Sequence, residues 1–73
     1  MEAVNMLVII RLVDGSKEWR IEVPEGSSVR DVLASIGLIS NEYVVVRNGV
    51  VISEDEEVRD GDILILYPVV SGG

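Results

Sequence analysis

Neither cysteine nor histidine occurs among the 73 residues, so the chain supplies no thiolate nucleophile, no imidazole base and no preferred zinc ligand. Carboxylates are the abundant reactive groups: thirteen Asp and Glu stand against six Lys and Arg, a net charge of −7. They concentrate in Glu54-Asp55-Glu56-Glu57, with Asp60 and Asp62 close behind. Such a run either complements a basic surface on another protein or solvates a loop. It lacks the alternating carboxylates and closing Glu of a calcium loop, so no metal is expected. The negative charge repels phosphate backbones and anionic lipid, which argues against nucleic acid and membrane partners. A single domain of this size is too small to enclose a usual substrate pocket, so the chain is expected to be no enzyme by itself. The apolar run Met6–Ile10 is far shorter than a bilayer span and follows no basic region, so a cytoplasmic location is expected.

Whatever these groups do, aliphatic packing has to hold them, because 48% of the residues are hydrophobic and no disulfide is possible. The stretch from Val4 to Val13 reads as a strand that stops at the turn Asp14-Gly15-Ser16. From Lys17 to Val23 the pattern alternates, with Trp19, Ile21 and Val23 on the face turned to the core, and Trp19 is core rather than a ligand platform. Pro24-Glu25-Gly26 ends this second strand. Ser28 and Asp31 read as a helix cap, and Val29, Val32, Leu33 and Ile36 make one apolar stripe, so the spacing predicts a helix over Val29–Ile36 that Gly37 terminates. Asn48-Gly49 joins Tyr43–Arg47 to Val50–Ser53 in a second hairpin. After Asp60-Gly61-Asp62, the run Ile63–Tyr67 reads as a last strand that Pro68 closes. Residues 1–68 form the domain, and residues 69–73 form an extended, mobile tail ending in two glycines.

The order strand, strand, helix, strand, strand, strand implies an α+β domain with one helix crossing a mixed sheet of about five strands, the order of the β-grasp fold. With Val46-Arg47-Asn48-Gly49, Asp60-Gly61-Asp62 and the closing Pro68-Val69-Val70-Ser71-Gly72-Gly73, the chain resembles the ubiquitin-like sulfur carrier family. That family takes in the thiamine-pathway sulfur carrier, the small subunit of molybdopterin synthase and the archaeal small modifier proteins. The resemblance covers essentially the whole chain. The usual hairpin is Val-Asn-Gly, and here Arg47 is inserted between the valine and the Asn-Gly.

The resemblance implies that the reactive group is the α-carboxylate of Gly73. A ubiquitin-activating-like adenylating enzyme would use ATP to form an acyl adenylate there, and this chain would bind no cofactor of its own. Attack by sulfur gives a thiocarboxylate that donates sulfur in thiamine, molybdopterin or thiolated tRNA synthesis, with a sulfurtransferase or acceptor synthase as second partner. Attack by a lysine amine gives instead a protein modifier conjugated through Gly73. A purely non-covalent interaction domain with an inert tail is the third reading. Glycine at positions 72 and 73 suits a narrow channel where a Cβ would clash, and from Pro68 six extended residues reach at most roughly 20 Å. Free in solution, the chain is expected to be a monomer. Lys17 is the only lysine: it is the one side-chain acceptor for self-linkage, or simply a solubilising turn residue.

First and last strands are neighbours in a β-grasp sheet. If Leu64 and Leu66 face the helix, then Leu7, Ile9, Ile63, Ile65 and Tyr67 form an exposed apolar patch near Pro68, Val69, Val70 and Ser71, a candidate partner-binding surface. If the parity of either strand is reversed, no such patch exists.

Overall fold

Alternation along β1 (Asn5–Leu12) sends Met6, Val8 and Ile10 into the core and turns Leu7 and Ile9 to the opposite face. The computed structural model describes residues 4–70. An antiparallel hairpin pairs β1 with β2 (Glu18–Pro24), placing Ile10 opposite Trp19 and Ile9 opposite Arg20. The inner side of that hairpin is covered by α1 (Val29–Ser35), whose Val29, Val32 and Leu33 are fully buried. β3 (Tyr43–Arg47) and β4 (Val50–Ile52) form the second hairpin, and β5 (Asp62–Pro68) slots between β1 and β3. The sheet order is β2-β1-β5-β3-β4, with β5 parallel to β1 and antiparallel to β3. This is the mixed five-stranded sheet with one helix that the element order predicts. Val8, Ile10, Leu64 and Leu66 from the two central strands meet the helix stripe in one cluster, closed by Met6, Val23, Val45 and Val58.

The helix is held by caps legible in its sequence. Ser28 and Asp31 form a reciprocal capping box, Asp31 N–H to Ser28 Oγ at 3.2 Å and Ser28 N–H to Asp31 Oδ2 at 3.1 Å. At the other end Gly37, at φ +80°, donates to Ala34 O while Leu38 donates to Leu33 O, the paired bonds of a Schellman terminus. Helical geometry stops at Ser35, one residue before the predicted end, and Ile36 becomes the cap. A short 3₁₀ turn, Ser40–Glu42, precedes β3 and has no periodic signal in the sequence. Asn48 and Gly49 take φ of +53° and +77°, as a type I′ hairpin turn demands.

The acidic run is exposed at Asp55, Glu56 and Glu57, yet it is tied into the fold. Its backbone closes the helix start, since Val29 N–H donates to Glu56 O and Arg30 N–H to Glu54 O, both at 2.9 Å. Its side chains are bridged by arginines: Arg30 holds Glu54 and Asp55, and Arg47 holds Glu56 at 3.1 Å and Asp62 at 3.2 Å. Arg47, the residue by which the hairpin departs from the usual pattern, is only 11% exposed and also donates to Glu57 O. It therefore fastens the β3–β4 hairpin to the segment leading into β5. Replacing Arg47 with Ala should cost about 1–2 kcal/mol, because the half-buried Asp62 carboxylate loses its countercharge. Urea unfolding followed by the fluorescence of Trp19 reads that loss, and an unchanged midpoint would show the bridges fully screened by solvent.

Candidate functional site

The outer face of the sheet, away from α1, is built on the two central strands. Leu64 and Leu66 are fully buried against the helix, which turns Ile63, Ile65 and Tyr67 outward beside Leu7 and Ile9. Leu7, Ile63 and Tyr67 are each 43% exposed, and Ile9 and Ile65 are half-buried between them. Parallel pairing sets Ile9 against Ile63, so these side chains form a continuous apolar surface. The strand parity on which the patch depends is thus the one that creates it.

Three valines that the sequence reading omits enlarge the surface. The β3–β5 register places Val44 beside Tyr67 and Val46 beside Ile65, and the β3–β4 register adds Val51 beside Val46. Tyr43-Val44-Val45-Val46 is an unbroken apolar run with no alternation, so its facing is undetermined until the partner strand is known. The buried Val45, opposite Leu66, then fixes Val44 and Val46 as outward.

The last strand carries this face to the chain's C-terminal segment. Pro68 pairs with Tyr43, and Val69 N–H donates to Glu42 O at 2.9 Å, so the last described backbone tie lies one residue past Pro68. Val69 and Val70 are exposed. Asn41, Glu42, Tyr43, Pro68 and Val69 line a shallow cleft at this root. Ser71, Gly72 and Gly73 lie outside the described residues. Lys17 sits at the β1–β2 turn with its Nζ 5.6 Å from the centre of the Trp19 ring, a cation–π contact. Trp19 itself is half-buried and packs on the core, as its parity predicts. Among the described residues no group of three or more carboxylates, cysteines or histidines is placed to hold a metal ion. Nor is any described helix long and apolar enough to cross a membrane.

Electrostatics around the sheet and helix stabilise ionised carboxylates. Arg11, then Arg20, hydrogen-bonds Glu18 and holds it below the ordinary 4.5; Arg30, then Ser40, does the same for Glu54. The Ser28 backbone N–H, then its hydroxyl, lowers Asp31 from the ordinary 3.8. A carboxyl with a lowered folded pKa contributes stability that is complete above its unfolded value and lost as pH falls through the folded value. The thermal midpoint should therefore hold down to about pH 5 and decline progressively below about pH 4.5. A midpoint unchanged down to about pH 3 would show that these contacts add nothing.

Comparison with known proteins places the chain clearly. The ThiS family model matches residues 7–73. The sulfur carrier protein TtuB of Thermus thermophilus is 32% identical over 68 residues, which is 93% of this chain and all of that one. The crystal structure of SAMP1 from Haloferax volcanii superposes with a TM-score of 0.69 at 27% identity, covering 92% of this chain and 99% of the other. A ubiquitin from Caldiarchaeum subterraneum superposes with a TM-score of 0.75 over 96% of this chain and all of that one. At 22% identity it shows the shared fold.

Proposed function

The chain belongs to the ThiS family, and from that membership we propose that it is a sulfur carrier loaded at Gly73. One observation carries the reading to this molecule. The apolar outer face and the segment leading to the glycines are consecutive parts of the same strand, Ile63 to Pro68. A partner that grips Ile65 and Tyr67 therefore holds the start of the tail at a fixed place. From Val69, four further residues span at most about 14 Å, enough to enter a channel while the body stays outside.

The chemistry is acyl activation followed by exchange. A Gly73 carboxylate oxygen attacks the α-phosphorus of ATP on the adenylating partner and displaces pyrophosphate, giving the acyl adenylate. Hydrosulfide, or a sulfur donor equivalent to it, attacks the acyl carbon and expels AMP, leaving the thiocarboxylate. The thiocarboxylate sulfur then attacks an electrophilic carbon of an acceptor in thiamine, molybdopterin or thiolated tRNA synthesis and displaces that carbon's leaving group. Water then cleaves the acyl–sulfur bond, leaving the sulfur on the acceptor and restoring the Gly73 carboxylate. The side chains of this protein dock and orient, and the terminus is the group transferred upon. The carrier is expected to work in the cytoplasm.

Incubating the chain with ATP, sulfide and the adenylating enzyme of its host, then measuring intact mass with fragmentation, tests the reading. A sulfur-for-oxygen change located on Gly73, with uptake of a thiol-reactive label by a chain that has no cysteine, is expected. Fragmentation is essential because oxidation of Met1 or Met6 adds nearly the same mass. Glycyl-glycine remnants on lysines of other proteins, with no labelled Gly73, would assign the terminus to conjugation instead. An unaltered chain beside an enzyme active on another substrate would leave the tail inert.

A further inference from the structure

In a chain of net charge −7, two of the six basic side chains meet at one margin of the apolar face: Arg11 and Arg20. Elsewhere the arginines that bridge carboxylates are outnumbered, Arg30 by Glu54 and Asp55, Arg47 by Glu56 and Asp62. At this margin the ratio inverts. Arg11 Nε lies 2.8 Å from Glu18 Oε1 and Arg20 Nε 3.3 Å from Glu18 Oε2, so two cations share one carboxylate. Both guanidinium groups use Nε for that bridge. Among the described residues no hydrogen bond engages their terminal nitrogens, the fork that grips a carboxylate bidentately.

Their placement ties this margin to the docking face. Arg20 is in register with Ile9 across the β1–β2 pair, and Arg11 is in register with Ile65 across the β1–β5 pair. Ile9 and Arg11 follow each other on the same side of β1. The apolar surface thus runs without a break into two exposed guanidiniums, 42% and 67% accessible, held in place by Glu18.

We propose that Arg11 and Arg20 are the carboxylate-reading margin of the docking face, and that the protein docking there presents apolar side chains to Ile9 and Ile65 flanked by an Asp or Glu. The inference rests on the sulfur carrier reading only in taking this face as the docking surface. Apolar contact supplies affinity, while the ion pairs fix the register in which the C-terminal segment is presented. The net charge of −7 disfavours a polyphosphate occupant, and it disfavours a second copy of this chain for the same reason.

The test measures affinity of the full chain for its host's adenylating enzyme by calorimetry, for the wild type, the double variant Arg11→Gln with Arg20→Gln, and Ile65→Ser. All three positions point away from the core, and thermal midpoints verify that each variant is folded. The double variant is expected to bind roughly 10-fold or more weakly and to lose much of the wild type's sensitivity to salt. Ile65→Ser is expected to weaken binding as well. Weakening by Ile65→Ser alone would overturn the carboxylate-reading margin and leave the docking face standing. Wild-type affinity for both variants would overturn the margin and the face together. Wild-type dimers in sedimentation, or binding of a single-stranded oligonucleotide, either lost in the double variant, would assign the arginines to another occupant and overturn the proposal too.

Discussion

Removing Gly73 is expected to abolish ATP-dependent loading of the chain while shifting its thermal midpoint by no more than a few degrees. Shortening an extended chain by one residue withdraws its carboxylate by about 3.5 Å. A misplacement of 1 Å at a reacting centre can cost about 100-fold in rate, so a shift of several times that distance should leave no measurable adenylation. Stability should barely respond. The buried cluster from Met6 to Leu66 is complete without the glycines, and peripheral changes are usually worth within about 0.5 kcal/mol. Pyrophosphate release with the partner enzyme reads the first effect and a thermal melt the second. Gly73→Ala keeps the carboxylate at its place along the chain and adds one Cβ, so its loss of rate measures the narrowness of the channel. A truncated chain that fails to load only because it unfolds would sink this account of the tail.

Leu64→Ala should be among the most damaging single changes to the body. Leu64 is fully buried on β5, the strand that joins the two halves of the sheet, and it meets Ile10 across the parallel pair. Truncating a buried leucine costs about 2–5 kcal/mol through lost transfer energy and the cavity left behind. A 73-residue domain has a total stability on the order of 4–11 kcal/mol, so the change removes a large share of it. At about 4–8 °C per kcal/mol for a domain this small, the midpoint should fall by tens of degrees, or folding should fail at room temperature. The adjacent Ile65, turned outward and half-buried, offers the contrast. Ile65→Ala should cost no more than about 1 kcal/mol, because it leaves no internal cavity, and its effect should appear in partner affinity instead. Equal destabilisation by the two would mean that the outer face is packed as tightly as the core.

The contrast between neighbours on β5 shows what pattern alone can determine in this chain. Helix caps at Ser28, Asp31 and Gly37, the Asn48-Gly49 turn and the inward set Trp19, Ile21 and Val23 are local features. Each depends on a few consecutive residues whose backbone preferences or period force the outcome, and the structure reproduces them. The family resemblance is equally a matter of motif and order, and the comparisons bear it out. By itself, then, the sequence determined the five strands and the α-helix, their β-grasp order and the membership of a sulfur carrier family, but not the 3₁₀ turn Ser40–Glu42. Partners distant along the chain were beyond its reach. The acidic run reads as an isolated loop because nothing near it signals Arg30 or Arg47, and only the folded chain brings those guanidiniums across. Val44, Val46 and Val51 face outward because β5 and β4 pair with β3 in one register, a choice that an unbroken valine run leaves open. Arg11 joins Arg20 only because the β1–β2 register sets it opposite Glu18, which Arg20 reaches along its own strand. Backbone preference acts over a few residues and is written locally, whereas charge pairing and facing across strands depend on which segments the core draws together, and that was decided by tertiary packing.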